Sequence, residues 1–155
     1  MKWLIPRSGA INKSFMQTGV DIFIKIAGVV GIFIALLNYR NQIRIKRAEL
    51  AKSLYEKFFE NNIYKEVRVW LDYGHLHARL TVEEEQQREI NEEKFTDFLN
   101  FFEFIGVLYT SRQLTFKLVY EVFDYYLKKI KADADCKDWI DRYGFENLKV
   151  LLKRM

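Results

Sequence analysis

Five cations in the C-terminal part of the chain have the types and positions that anion recognition requires: Arg112, Lys117, Arg142, Lys149 and Lys153. They fall on or near connectors and helix ends. There a guanidinium or ammonium can meet free backbone N–H groups around a phosphate. Each also has a plainer reading as a solvated surface cation. Metal-ligating types occur as His75-Leu-His77, with Asp72 nearby, and as Asp133-Ala-Asp135. Neither group brings the third and fourth ligands that a closed site needs. The histidines are therefore read as exposed loop residues, the aspartates as a turn and a cap, and no metal is expected. Glu83, Glu84, Glu85, Glu89, Glu92 and Glu93 make a strongly acidic segment, read either as a solvated helix face or as a surface for a basic partner.

Reaction chemistry is harder to find. The chain has no glycine-rich phosphate loop, nucleophile elbow, HExxH pair or cysteine–histidine cluster. Catalysis needs a nucleophile, a base and an oxyanion donor that converge, and no such set stands out. No catalytic residue and no cofactor are assigned, and a non-enzymatic role is expected. Cys136 is the single cysteine, which leaves no disulfide and fits a reducing compartment.

Charge is unevenly spread. Residues 1–39 carry four cations and one acid, residues 40–52 five cations and one acid, and residues 53–155 sixteen cations and nineteen acids. The net +4 of the chain therefore comes from its first third, and the remainder is slightly acidic. Bulk nucleic-acid binding, which needs a basic face, is excluded on this ground. A compact anion in a local pocket is not.

The elements that must position these residues begin with Val20–Leu37, VDIFIKIAGVVGIFIALL. From Ile26 to Leu37 it is uninterrupted apolar sequence. It approaches the length of about 17–20 residues that crosses a bilayer, provided that Asp21 and Lys25, four residues apart, pair in the headgroup layer. A buried helix of a soluble protein is the competing reading. The flank decides between them, because Arg40, Arg44, Lys46, Arg47 and Lys52 follow with only Glu49 against them. That cationic collar places the C-terminal side in the cytoplasm, although Lys2, Arg7 and Lys13 lie on the other side. A cleaved signal peptide fits less well, since no small-residue cleavage site follows Leu37. Gly28, Gly31, Ala35 and Asn38 share one face of this helix. Small residues let helix backbones approach closely in lipid, so the stripe reads as a seam with another chain and predicts a homo-oligomer or a contact with a different membrane partner. Met1–Thr18 is short and mixed.

After the span, Arg40–Phe59 holds no proline or glycine, and the membrane helix is expected to continue as a stiff stalk. Asn61-Asn62 interrupts it and Ile63–Tyr73 resumes the helical pattern. Thr81-Val-Glu-Glu84 matches a capping box, predicting a helix start there, and Asn91 is placed as the cap of a second helix running to Tyr109. Within that helix Phe95, Phe98, Phe102, Ile105 and Tyr109 form one apolar stripe, the expected centre of the core. Thr115 is the expected cap of Phe116–Ile130. A short helix around Trp139–Tyr143 should stop at Gly144, and Phe145–Met155 forms the last helix. No strand-like alternation of useful length occurs. The expected fold is all-α: an N-terminal segment (1–19), a transmembrane helix (20–38), and a cytosolic helical domain with its stalk (39–155).

The runs Leu99-Asn-Phe-Phe-Glu-Phe-Ile-Gly-Val-Leu108, Val119-Tyr-Glu-Val-Phe123 and Gly144-Phe-Glu-Asn-Leu148, with the upstream span, resemble small bacterial membrane proteins that carry a DUF4760-like helical domain. The resemblance covers roughly residues 20–150. By architecture the chain is also similar to CRISPR-associated membrane effectors gated by cyclic oligoadenylate, an analogy at the level of the overall plan. What this similarity implies is a homo-oligomer in the bacterial inner membrane that senses a cyclic oligonucleotide and alters membrane integrity in antiviral defence. The alternative is a membrane-tethered adaptor that recruits a protein partner through its helical domain.

Overall fold

The computed structural model describes the backbone from Gly9 to Met155 and the side chains from Phe23 onward. The expectations for Met1–Ser8, and for the Asp21 side chain beside Lys25, lie outside the described residues, and Gly9–Thr18 are described by their backbone alone, as the start of α1. Among the described residues seven helices follow one another: α1 (Gly9–Glu60), α2 (Asn62–Asp72), α3 (Leu76–Leu80), α4 (Glu85–Thr110), α5 (Phe116–Ala132), α6 (Ala134–Tyr143) and α7 (Glu146–Lys153). The described residues form no strand, and the fold is all-α as expected. The chain divides into two compact units between Ile45 and Lys46.

In the first unit every residue from Phe23 to Leu37 is exposed, including Phe23, Ile26, Val29, Ile32, Phe33 and Leu36. α1 is long and apolar enough to cross a membrane. Gly28, Gly31, Ala35 and Asn38 are exposed too, and a Cβ added at Gly28 or Gly31 meets nothing within 4 Å.

In the second unit the helices close around Phe58, which is fully buried. Its ring lies 5.2–5.8 Å from those of Phe98, Phe101, Phe102, Phe123 and Tyr126, most of them edge-on or tilted as aromatic quadrupoles prefer. Helix starts follow local chemistry. Asn61 accepts from the backbone N–H of Ile63 and Tyr64, Thr115 from Leu118, and Asp133 from Cys136. Gly144 closes α6 at φ 77°, in the left-handed region.

Two local readings are corrected. Thr81 caps no helix start. It ends α3, its hydroxyl donating to the His77 carbonyl, and α4 begins only at Glu85. Asn91 does not open a second helix, because α4 runs unbroken from Glu85 to Thr110. Asn91 is instead buried, donating to the Arg79 carbonyl and accepting from Gln87. In both cases the polar side chain bonds a carbonyl of α3 instead of a backbone N–H at a helix start, which local propensity does not register.

Arg68 is a buried cation that periodicity did not single out. It donates to the Phe59 carbonyl at 3.1 Å, and its guanidinium lies 4.5 and 5.0 Å from the Phe59 and Phe58 ring centres. It thereby satisfies a carbonyl at the end of α1 and packs by cation–π contact at once.

Candidate anion-binding site

The C-terminal end of α4 makes a tight turn into α5. Arg112 takes up φ 62°, while the N–H groups of Arg112, Gln113 and Leu114 return to the carbonyls of Tyr109 and Leu108. The Arg112 carbonyl accepts from the Arg47 guanidinium of α1 at 3.0 Å. Arg154, just after α7, donates to the Tyr109 hydroxyl and lies 4.9 Å from the Phe116 ring centre. Arg47, Arg112 and Arg154 thus line one open cleft of about 450 Å³, together with Tyr109, Thr110, Leu114, Thr115 and Val150.

No carboxylate lines this cleft, and among the described residues none of the three arginines is in an ion pair. Three uncompensated guanidiniums around a common space create a positive potential that favours an anion. Thr115, the cap of α5, lies on the same wall. The first N–H groups of a 17-residue helix therefore add their partial positive charge nearby.

The five cations expected from the sequence do not converge. Arg112 lies in the arginine cleft. Lys149 and Lys153 share a second cleft of about 600 Å³ with Lys131 and Lys137, but Asp141 and Glu146 line it as well. Lys149 is held by Glu146 at 3.2 Å and Asp141 at 3.3 Å. Its hydrogen bond to Glu146, above all, raises its pKa above the ordinary lysine value. Lys117 pairs with Glu121 and Arg142 with Asp138, each within its own helix and largely exposed. On net charge the arginine cleft, three cations and no acid, is the better anion site. Arg47 and Arg154 were missed because each joins it through a contact far away in the sequence. Arg47 reaches a carbonyl 65 residues on, and the sequence placed it only in the collar with Arg40, Arg44 and Lys46.

The metal-ligating types are rearranged as well. His77 is not in a loop but in α3, where its Nδ1 lies 3.0 Å from Asp135 Oδ1, while Asp133 caps α6. Asp72 accepts from the hydroxyls of Tyr125 and Tyr126. Among the described residues no group of three or more His, Cys, Asp or Glu could hold a metal ion. The acidic segment contributes Glu89, Glu92 and Glu93 to a cleft of about 460 Å³, which Trp139, Tyr143 and Phe145 also line.

These features define a class: an all-α chain with an N-terminal helix long and apolar enough to cross a membrane and a compact helical unit following it in sequence. The chain belongs to the DUF4760 family, whose model, a domain of unknown function, matches residues 25–151. No curated protein and no solved structure matches the chain. The runs that carry the family resemblance meet in space. Glu103 and Gly106 of the first pack on Asn147 of the last, and Phe101 and Phe102 of the first contact Phe123 of the second.

Proposed function

We propose that this chain is a non-enzymatic, homo-oligomeric effector of the bacterial inner membrane, with its C-terminal unit in the cytoplasm. That unit binds a small phosphate-bearing anion, a cyclic oligonucleotide in the antiviral setting, and the response alters membrane integrity. The observation that carries this reading is the cleft lined by Arg47, Arg112 and Arg154 without a carboxylate. Its size supports a division of labour. At about 450 Å³ it lies low in the range of about 300–1,000 Å³ that holds a drug-sized ligand. One nucleotide-sized portion fits, so a cyclic oligonucleotide would be shared between the clefts of several subunits. The exposed Gly28 and Gly31 faces of α1 supply a surface for that assembly.

The full chain in detergent, titrated with a panel of cyclic oligonucleotides, should show a rise in melting temperature for at least one. An Arg112→Glu, Arg154→Glu double variant should not. The absence of a shift with every member of the panel removes the nucleotide half of the reading. Monomeric behaviour in detergent that a Gly31→Leu variant leaves unchanged removes the assembly half.

A second reading rests on the acidic cleft, which Glu89, Glu92 and Glu93 line together with Trp139 and Tyr143. A basic peptide suits such a surface, as a membrane-tethered adaptor would require. A stoichiometric partner captured by the full chain, released by salt and lost in a Glu89→Lys, Glu93→Lys variant, favours the adaptor.

A further inference from the structure

The arginine cleft draws its cations from three places far apart in the chain: Arg47 on α1, Arg112 in the α4–α5 connector, and Arg154 after α7. Two of these arginines make a side-chain hydrogen bond at the cleft. Arg47 holds the Arg112 carbonyl, and Arg154 holds the Tyr109 hydroxyl. Arginine has five N–H donors in a planar fork, so each of these single contacts leaves donors free for a phosphate. Among the described residues the hydrogen bond from Arg47 is the one side-chain hydrogen bond that joins the Lys46–Glu60 part of α1 to the connector. That part of α1 otherwise rests on the core through Ala51, Leu54 and Phe58.

We infer that a phosphate group in this cleft acts as a clasp, tying the Arg47 turn of α1 to the α4–α5 connector and to the residues after α7. The inference rests on the anion-receptor reading and adds its regulation: the part of the second unit that responds to the ligand is the beginning of its α1 segment. The physical reason is charge. Three guanidiniums with no carboxylate among them repel one another when the cleft is empty, and a phosphate reverses the sign of that interaction. The chemistry recognised is the phosphate itself, whether borne by a soluble ligand or by an acidic lipid headgroup.

Hydrogen exchange read by mass spectrometry on the full chain tests this, in nanodiscs of zwitterionic lipid with inorganic pyrophosphate as the probe. At about ten times its Kd, a ligand that must leave for a segment to open slows exchange about tenfold. That slowing is expected in peptides covering residues 46–51, 109–116 and 151–155 of the wild type. In Arg47→Gln the slowing should persist at 109–116 and 151–155 and vanish at 46–51. Slowing at 109–116 with none at 46–51 in the wild type overturns the clasp and leaves the anion receptor standing. No slowing anywhere at saturating pyrophosphate overturns both. A parallel arm uses nanodiscs of phosphatidylglycerol without pyrophosphate. The same three-segment pattern there supports the clasp with a lipid headgroup as its source, and slowing that omits 46–51 counts against it.

Discussion

Glu103 of α4 holds Asn147 of α7. One carboxylate oxygen accepts from the Asn147 backbone N–H at 3.1 Å and from its side-chain amide at 2.7 Å, and the other accepts from the Leu148 N–H at 2.8 Å. A residue 44 positions away thus supplies the cap that Phe145 cannot, since α7 has no side-chain cap of its own. One turn further along α4, Gly106 lies directly against Asn147. An added Cβ would come within 2.6 Å of its carbonyl carbon and oxygen.

Gly106→Ala should therefore destabilise the protein, although alanine in a helix is ordinarily favoured over glycine by about 1 kcal/mol. The clash is with backbone, which cannot rotate aside. A net loss of about 1–2 kcal/mol is expected from overpacking, measured by urea denaturation of the full chain in detergent. A gain in stability would mean that the α4–α7 contact is looser than the structure shows.

Replacing Glu103 by alanine leaves two N–H groups at the start of α7 without an acceptor and removes a negative charge from a helix N-terminus. The expected cost is about 1–3 kcal/mol. The Glu103→Gln variant, with one acceptor oxygen in place of two, should fall between wild type and Glu103→Ala. Hydrogen exchange should place the loss in α7 and not in α2 or α3.

Charge reversal separates the two cationic clefts. Arg112→Glu should weaken binding of inorganic pyrophosphate by more than about tenfold, because it turns an attraction into a repulsion at the cleft. Lys153→Glu, in the cleft where Asp141 and Glu146 already offset the lysines, should change it by less than about threefold, the scale of an exposed ion pair. Calorimetric titration of both variants decides, and an equal loss in each would dissolve the preference for the arginine cleft.

Stability should fall in strong alkali. The hydrogen bond to Asp72 raises Tyr125 above the ordinary value of 10.0, and burial, followed by the Asp72 charge, raises Tyr126. Burial also pushes the Cys136 thiol up from its ordinary 9.0. A group whose pKa is raised on folding contributes stability that is fully present below its unfolded value. That contribution is lost as the pH climbs through the folded value. Urea midpoints should therefore hold level up to about pH 9 and drop beyond about pH 10. Native Cys136 should resist alkylation at about pH 9, reacting only at the rate of unfolding.

Where partners are near in sequence, the residues themselves determined the outcome. The apolar run before Leu37, the caps at Thr115 and Asp133, the stop at Gly144 and the aromatic stripe of α4 all follow from spacing and side-chain chemistry. So does the all-α class, since no stretch alternates as a strand must. What only the tertiary structure decided was the company that polar groups keep. Thr81 and Asn91 carry the signs of helix starts, yet bond to His77 and Arg79 instead. Glu103 is a charge within an apolar run and proves to be a cap for another helix. Of five cations marked for anion binding, only Arg112 reached the arginine cleft, where Arg47 and Arg154 joined it from far along the chain. Helical periodicity fixes which side of a helix a residue occupies. It carries no information on which other helix arrives there, because that depends on how several apolar faces pack at once around Phe58.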